Sequence, residues 1–170
     1  SGDDLSGQSI SLSYDGNTVV IGAKRNDGGG NNSGHVRVYR WSGVSWNQLG
    51  EDINGTNPAD EFGSSVSIGN NGNIILVGAP GYQVNGNASG YVRILNWDGE
   101  SWSQIGNDII GGSGDQAGFS TSISSDGNIV AFSERQNDGS GLTNSGRVRV
   151  FNLDNNLWTQ IGNDIQGENE

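Results

Sequence analysis

The chain of 170 residues contains 30 glycines, 2 prolines and no cysteine, and its 19 acidic against 8 basic residues give a net charge of -11. This charge disfavours nucleic acid and anionic membrane surfaces as partners, and the lack of cysteine excludes disulfides and thiolate metal sites. No apolar run is long enough to span a membrane, so membrane insertion is not expected. Many glycines with few prolines are typical of short strands joined by tight turns.

The first part of the chain predicts four strands in succession. SISLS, from Ser9, alternates apolar and small polar residues, and the Asp15-Gly16 pair that follows suits a tight hairpin. TVVIGA, from Thr18, is apolar almost throughout, as expected of a strand that is buried on both faces. After a polar loop, HVRVYRW alternates again from His35, and a turn at Ser42-Gly43 leads to SWNQLG.

This four-strand pattern occurs three times along the chain. The segments that contain the third strand begin as SGHVRV at Ser33, SGYVRI at Ser89 and SGRVRV at Ser145, at a constant spacing of 56 residues. The hairpin turns recur as Asn71-Gly72 and Asp126-Gly127. A four-stranded up-and-down sheet that repeats along a chain is typical of a propeller blade.

The predicted fold is therefore an all-β propeller of four-stranded antiparallel blades. Residues 1–170 are expected to form a single repeat domain with three blades, at 4–55, 60–111 and 115–167. A threefold arrangement resembling a β-prism is the alternative, since threefold repetition is compatible with both.

The second copy begins with Phe62-Gly63 and continues to Gly78-Ala79-Pro80, which resembles the FG-GAP repeat of integrin α-subunit propellers. The first copy keeps Gly22-Ala23, whereas the third has Phe132-Ser133-Glu134 at that place. The resemblance implies a β-propeller with a role in extracellular recognition or adhesion, and not an enzyme.

The calcium loop found in many FG-GAP repeats is not expected here. The corresponding segments are SYDGN, GNNGN and SSDGN, which offer too few carboxylates for the roughly six to eight oxygen ligands of Ca²⁺. No metal site or cofactor is therefore predicted. Weak Ca²⁺ binding is conceivable where Asp27 and Asp138 lie near Asp60 and Asp115 of the linkers, although no complete loop motif supports it.

Residues present in all three copies are predicted to serve the blade rather than a ligand. The tryptophan of the fourth strand is expected to pack between blades. An arginine of the third strand and an aspartate after the fourth are expected to pair within each blade, because guanidinium and carboxylate match bidentately. These structural residues are Trp46, Trp102 and Trp158, Arg37, Arg93 and Arg149, and Asp52, Asp108 and Asp164.

The loops between the second and third strands are expected to share one end of the molecule with the linkers between blades. They are longer and more variable than the opposite turns, so a ligand is expected at this end. The candidate binding residues are Lys24, Arg25, Asn26, Asp27, Tyr82, Gln83, Arg135, Asn137 and Asp138.

The predicted function is a non-catalytic binding, adhesion or structural module of a secreted or cell-surface protein, with a protein or glycan as ligand. The single histidine, His35, has no partner that the sequence marks, so no catalytic residue is predicted. The alternative is a carbohydrate-active enzyme or a lectin-like sugar-binding domain.

Three blades are fewer than the roughly four to eight that a closed propeller needs. Val19 and Val20 of the first copy and Ile129 and Val130 of the third are as apolar as their counterparts in the second copy. Neither outer copy therefore has the polar face of a capping repeat. We expect the chain to form a homo-oligomer or to be part of a larger propeller.

Overall fold

A computed structural model describes residues 3–139 and 142–168 of the chain. Within these residues, 17 strands form three sheets of five strands each and one two-stranded ribbon, and the strand pairs in the sheets are antiparallel. The same residues contain no α-helix, and hence no helix that could cross a membrane. The all-β prediction is confirmed.

The first sheet has the predicted order of strands. It comprises β1 (Ser9–Leu12), β2 (Thr18–Ala23), β3 (His35–Trp41), β4 (Trp46–Gln48) and β5 (Ile53–Asn54). β1, β2, β3 and β4 lie side by side, and β5 also pairs with β3. β4 lies within the predicted fourth strand, and β5, which lies beyond that segment on the same side of β3, was not predicted.

The second sheet repeats this arrangement and adds a ribbon in its long loop. Its strands are β6 (Ser65–Ile68), β7 (Ile74–Ala79), β8 (Gln83–Val84), β9 (Asn87–Ala88), β10 (Tyr91–Trp97), β11 (Trp102–Gln104) and β12 (Ile109–Ile110). β6, β7, β10 and β11 form the sheet with β12 beside β10, while β8 and β9 pair only with each other.

The third sheet comprises β13 (Ala117–Ile123), β14 (Ile129–Glu134), β15 (Arg147–Asp154), β16 (Leu157–Gln160) and β17 (Ile165–Gln166). Its order is β13, β14, β15 and β16, with β17 beside β15. The register of β13 on β14 shifts between Ala117 and Thr121, which marks a bulge that the other two inner strands lack.

The hairpin between the first two strands is closed by its own side chains. The Ser13 hydroxyl donates to the Asp15 carboxylate at 2.6 Å, and the Asn17 backbone N–H donates to the same oxygen at 3.0 Å. The serine bond holds the pKa of the Asp15 carboxyl below its usual value. Asp126 has the same surroundings in the third sheet. These carboxylates therefore stabilise turns.

Two hydrophobic cores lie between successive sheets. Val20 and Val38 of the first sheet are buried together with Val66 and Ile75 of the second. A separate core, between the second and third sheets, includes Leu76, Ile94, Val130, Phe132 and Phe151. The second sheet thus buries both of its faces, one against the first sheet and one against the third, and this burial of apolar surface stabilises the arrangement.

A glycine in the second strand lets the next sheet approach closely. A Cβ on Gly22 would overlap the carbonyl oxygen of Gly63, and a Cβ on Gly78 would overlap that of Gly118. The same carbonyl of Gly63 accepts a hydrogen bond from the Ser9 hydroxyl at 2.7 Å. The glycines of the repeat therefore set the spacing between sheets.

The sheets follow one another in an open succession. Within the described residues, β1 and β2 pack on β6, and β6 and β7 pack on β13, but no strand of the first sheet packs appreciably on the third. A threefold prism requires that missing contact. The arrangement is propeller-like, and the number of blades in a complete ring stays a prediction.

Two of the three repeated tryptophans, Trp102 and Trp158, link neighbouring sheets. The indole N–H of Trp102 donates to the carbonyl of Leu49 at 2.8 Å, and that of Trp158 donates to Ile105 at 3.0 Å. Within the described residues the indole N–H of Trp46 makes no such bond, and Trp46 is 45% exposed.

Trp102→Phe removes the bond to Leu49 and keeps most of the aromatic packing. We expect it to lower the free energy of unfolding by about 1 kcal/mol, because a partly buried acceptor loses its donor. Trp46→Phe is the matched control and should change stability little. Urea denaturation of both variants measures the difference, and equal losses would contradict the role given to the indole bond.

Candidate ligand-binding site

The long loop of each sheet is bonded to the linker that precedes that sheet, so loops and linkers share one end as predicted. Backbone N–H groups of Arg25, Gly81 and Gln136 donate to linker carbonyls at 3.4, 3.1 and 3.2 Å. Two of the candidate binding residues reinforce this contact. Asn26 donates to the Asp4 carboxylate at 3.1 Å, and Asn137 donates to Asp115 at 2.9 Å.

The two candidate aspartates close their own loops. Asp27 accepts the backbone N–H of Asn32 at 2.9 Å, and Asp138 accepts that of Asn144 at 2.8 Å. In the described part of the chain, no group of three or more histidine, aspartate or glutamate side chains is placed to hold a metal ion. The structure therefore does not bring the four linker and loop aspartates together around one cation.

The cationic candidates have local partners. Lys24 lies 3.7 Å from Glu61, and Arg135 stacks over the Phe119 ring at 4.0 Å while donating to Gln116 at 2.7 Å. Two further candidates, Arg25 and Gln83, are exposed. The last candidate, Tyr82, is described below. The structure does not gather these side chains into one site.

Tyr82 is the candidate that lines a confined pocket, beside the second sheet. The pocket has a volume of about 170 Å³. It is lined by Thr56, Asn57, Tyr82, Tyr91, Arg93, Asp108 and Ile110. Its walls come from the linker, the long loop, the start of β10 and the segment at β12, so four separate segments converge on it.

A bidentate ion pair forms one wall of this pocket. Arg93 donates to the two oxygens of Asp108 at 2.8 and 2.7 Å, and Gln104 adds a third bond to Asp108 at 2.9 Å. Hydrogen bonding to Asp108 raises the pKa of Arg93 above its usual value. The pair predicted from the repeat is thus present in the second sheet, where it fixes both side chains at the pocket.

A buried hydroxyl without a partner forms another part of the pocket. Tyr91 is 2% exposed, and its hydroxyl has no hydrogen bond to any described residue. Burial raises the pKa of Tyr91 above its usual value, so the hydroxyl stays protonated. The Tyr82 ring meets the Tyr91 ring edge-on at 5.1 Å. An unpaired buried donor is costly, so this hydroxyl lowers the stability of the ligand-free protein.

A buried carboxyl lies next to these groups. Asp60 is 1% exposed and accepts bonds from the backbone and side-chain nitrogens of Asn57 at 3.0 and 3.2 Å. Burial raises the pKa of the Asp60 carboxyl, partly offset by these bonds.

In the third sheet, Arg147 stands at the position of Tyr91. Charged side chains occupy the space that corresponds to the pocket. Arg147 pairs with the fully buried Glu134, with Asp164 at 2.8 Å and with Asp115 at 3.1 Å. Arg149, which was predicted to pair with Asp164, lies 3.9 Å from it and 3.4 Å from Glu134. The acidic groups here are neutralised within the protein rather than left for a ligand.

The first sheet has a histidine at this position. His35 lies 3.7 Å from Asp52, while Arg37 donates to Ser6 at 3.4 Å and makes no ion pair with Asp52. Burial lowers the pKa of His35, which favours the neutral imidazole. The three copies therefore diverge where β3, β10 and β15 begin, and the tyrosine pocket belongs to the second copy.

A larger cleft of about 480 Å³ lies at the opposite end, which the sequence did not mark as a binding end. Arg40 crosses it and donates to Asn73 at 2.8 Å and to Thr18 at 3.3 Å. Asp15, which also lines the cleft, is held in its hairpin. Because its polar groups bind one another, this cleft is a joint between the first two sheets.

No family model matches the chain, and no curated protein matches it either. The FG-GAP resemblance, and the secreted or cell-surface location it implies, therefore stay predictions.

Solved structures show what the fold is similar to. A candidate 6-phosphogluconolactonase from Bacteroides fragilis NCTC 9343 aligns with a TM-score of 0.59 at 12% identity, over 94% of this chain and 38% of that chain. One from Bacteroides uniformis ATCC 8492 aligns with a TM-score of 0.56 at 15% identity, over 92% and 40%. The tricorn protease aligns with a TM-score of 0.47 at 10% identity, over 91% and 15%. This chain spans about two fifths of the first two structures.

The comparison corrects the predicted function. A non-catalytic adhesion or structural module is not upheld, because the similar structures carry the name of an enzyme that acts on a sugar lactone. They favour the alternative, a carbohydrate-active enzyme or sugar-binding domain. The expectation that the chain is not an enzyme finds no support in these structures either. The prediction of an adhesion module rested on the FG-GAP-like glycine pattern. Those glycines specify how the sheets pack and not what the protein binds.

Tyr91→Phe removes the unpaired hydroxyl and leaves the ring in place. In the absence of ligand, we expect the free energy of unfolding to rise by up to about 1 kcal/mol, since a buried unsatisfied donor is lost. Tyr14→Phe is the control, because Tyr14 is 86% exposed. Thermal and urea unfolding measure both variants. A clear loss of stability in Tyr91→Phe would show that the hydroxyl is already bonded.

Proposed function

We propose that the chain is part of a carbohydrate-active propeller that takes a neutral sugar or sugar lactone into the Tyr91 pocket. The observation that carries the proposal is the buried Tyr91 hydroxyl, which lacks a partner at a pocket with a fixed Arg93–Asp108 pair. The names of the similar structures support the ligand class but come from proteins of low identity.

The size of the pocket limits the ligand. About 170 Å³ corresponds to the liquid volume of roughly five or six water molecules. One sugar ring fits such a space, whereas an oligosaccharide would extend out of it. We therefore expect a single ring to be recognised.

The lining suits a compound that is rich in hydroxyl groups. The Tyr91 hydroxyl both donates and accepts, Asp108 accepts, and the Asn57 amide can do either. The Tyr82 ring and Ile110 supply apolar surface for the carbon skeleton. A few fixed polar groups on a partly apolar wall are the usual composition of a small-molecule site.

Charge argues for a neutral ligand. Arg93 is the cation that lines the pocket, and Asp108 already neutralises it bidentately. Asp60 adds a second carboxyl nearby, and the whole chain has a net charge of -11. A phosphate group would be repelled by this field. The ligand proposed for this chain is therefore not phosphorylated, unlike the compound in the name of the similar structures.

Isothermal titration calorimetry with glucose, galactose, glucono-δ-lactone and 6-phosphogluconate tests this proposal. We expect a neutral compound to bind and the phosphorylated one to bind more weakly. Tyr91→Phe should weaken binding about tenfold, which is the value of one hydrogen bond. Tyr14→Phe should leave binding unchanged. Absence of binding by every neutral compound, or equal weakening by both variants, would contradict the proposal.

Hydrolysis of a sugar lactone is a second candidate, favoured by Asp108 and the Tyr91 hydroxyl in one pocket. Water would attack the carbonyl carbon while Asp108 takes a proton from it, and Tyr91 would donate to the carbonyl oxygen. The ring C–O bond then breaks, and the departing ring oxygen receives from Asp108 the proton that Asp108 took from water, which gives the open sugar acid and restores the Asp108 carboxylate. Such acid–base help accelerates reactions by about 10²–10⁴-fold.

A pH-stat assay with glucono-δ-lactone measures this activity against the uncatalysed rate. If hydrolysis is the function, Asp108→Asn should lower the rate by about 100-fold or more. Asp154→Asn is the matched control, since Asp154 lies exposed at a turn of the third sheet. Circular dichroism checks that both variants fold. A wild-type rate equal to that of buffer would exclude hydrolysis of this lactone and leave sugar binding to be judged by calorimetry.

A further inference from the structure

The aspartate of the linker has different partners in the second sheet than in the other two. Asp4 and Asp115 accept hydrogen bonds from Asn26 and Asn137 of the long loops, at 3.1 and 2.9 Å. The backbone carbonyls of Asp4, Asp60 and Asp115 accept the N–H groups of equivalent loop residues, so the three aspartates occupy the same position. The partners of Asp60 can therefore be compared directly with theirs.

Two differences in sequence remove those partners from Asp60. Tyr82 stands where the other loops have the asparagine, and Tyr91 stands where the third sheet has Arg147, which donates to Asp115 at 3.1 Å. The Tyr91 hydroxyl makes no hydrogen bond with any described residue. Asp60 is nevertheless 1% exposed, and a buried carboxylate needs hydrogen-bond partners.

Asn57 supplies the missing partner. Its backbone N–H and its side-chain nitrogen both donate to the same oxygen of Asp60, at 3.0 and 3.2 Å. Asn57 lines the Tyr91 pocket, whereas Asp60 does not. Asp60 is therefore placed to act on a ligand through Asn57 and not by contact with the ligand.

The turn that joins these two residues does not need the Asn57 side chain. Gly112 stands at the position of Asn57 in the third sheet. The Asp115 backbone N–H still donates to the Gly112 carbonyl at 3.2 Å, as that of Asp60 donates to the Asn57 carbonyl at 3.3 Å. A glycine thus suffices for the turn, and the Asn57 amide is free to serve the pocket.

The bond to Asp60 fixes the orientation of the Asn57 amide. A carboxylate only accepts hydrogen bonds, so the end of the amide that meets Asp60 must be the nitrogen. The carbonyl oxygen consequently lies at the other end of the amide, and it accepts no hydrogen bond from any described residue. An asparagine without such a partner could present either end to a ligand.

We infer that Asp60 is a positioning residue, which holds the Asn57 carbonyl oxygen toward the pocket so that it accepts a hydrogen bond from a hydroxyl of the sugar. This inference rests on the proposed function and specifies which group of the ligand is recognised. Asn57 and Asp108 then supply acceptors, while the Tyr91 hydroxyl can also donate. The pocket therefore selects a ring whose hydroxyl on the Asn57 side is free to donate.

The orientation of Asn57 can be measured without a ligand, from the side-chain amide resonances of isotope-labelled protein. We expect the Asn57 amide to exchange with water about tenfold more slowly than that of Asn85, which is exposed and makes no such bond. Asp60→Ala should abolish this difference, and Asp60→Asn should retain it because its side-chain oxygen can still accept. An Asn57 amide that exchanges as fast as that of Asn85 in the wild type would overturn the inference.

Calorimetry with glucose measures the effect on binding. Asp60→Ala and Asn57→Ala should each weaken binding about tenfold, and the double variant should bind no more weakly than either, since both changes remove the same bond. Asp60→Asn should restore most of the affinity. Asp115→Ala is the matched control, because it removes the equivalent aspartate of the third sheet and should leave the affinity unchanged. If Asp60→Ala does not fold, Asn57→Ala at an exposed position still gives the comparison.

Glucose derivatives in which one hydroxyl is replaced by fluorine identify the donated hydrogen bond. Fluorine carries no hydrogen to donate, so at least one derivative should bind the wild type about tenfold more weakly than glucose, and this loss should vanish in Asn57→Ala. Equal binding of all derivatives, or additive losses in the double variant, would overturn the inference. Failure of glucose to bind while the Asn57 amide exchanges slowly would count against the proposed sugar ligand and would still support the positioning of Asn57 by Asp60.

Discussion

The close approach of one sheet to a glycine in the sheet before it is the constraint on which the other contacts depend. The space left at Gly22 and Gly78 brings the carbonyls of Gly63 and Gly118 against the preceding second strand. Only at this spacing can the serine hydroxyls reach those carbonyls and can the tryptophans reach the preceding sheet. The hydrophobic cores between sheets combine valine and isoleucine with a few aromatic side chains, such as Phe62 in the first core and Phe132 in the second.

Repetition made most of the fold predictable from the sequence. Three aligned copies specify the strands, and the Asx-Gly pairs specify the hairpins, because a turn such as that at Asp15 is closed by residues adjacent in sequence. The short strand β5 and the β8–β9 ribbon were not predicted. Both features depend on how far a neighbouring strand extends, and the local sequence pattern does not predict that length.

The candidate site was only partly predictable. The loop residues expected to bind a ligand, such as Asn26 and Asp27, instead hold the linkers and close the loops, because a long irregular backbone must satisfy its own polar groups. Tyr82 was identified, but Tyr91 was treated only as the counterpart of His35 and Arg147. The difference between the copies at this position could have marked Tyr91 as a site residue, because positions that serve packing alone vary less between copies.

The buried charges of the third sheet make two positions of its sequence depend on each other. Glu134 stands where the other copies have Ala23 and Ala79, and it is fully enclosed beside Arg147. A lone carboxylate at that position would be strongly destabilising. The buried Glu134 carboxylate therefore depends on Arg147 for its charge partner, so a change at one of these two positions is felt at the other.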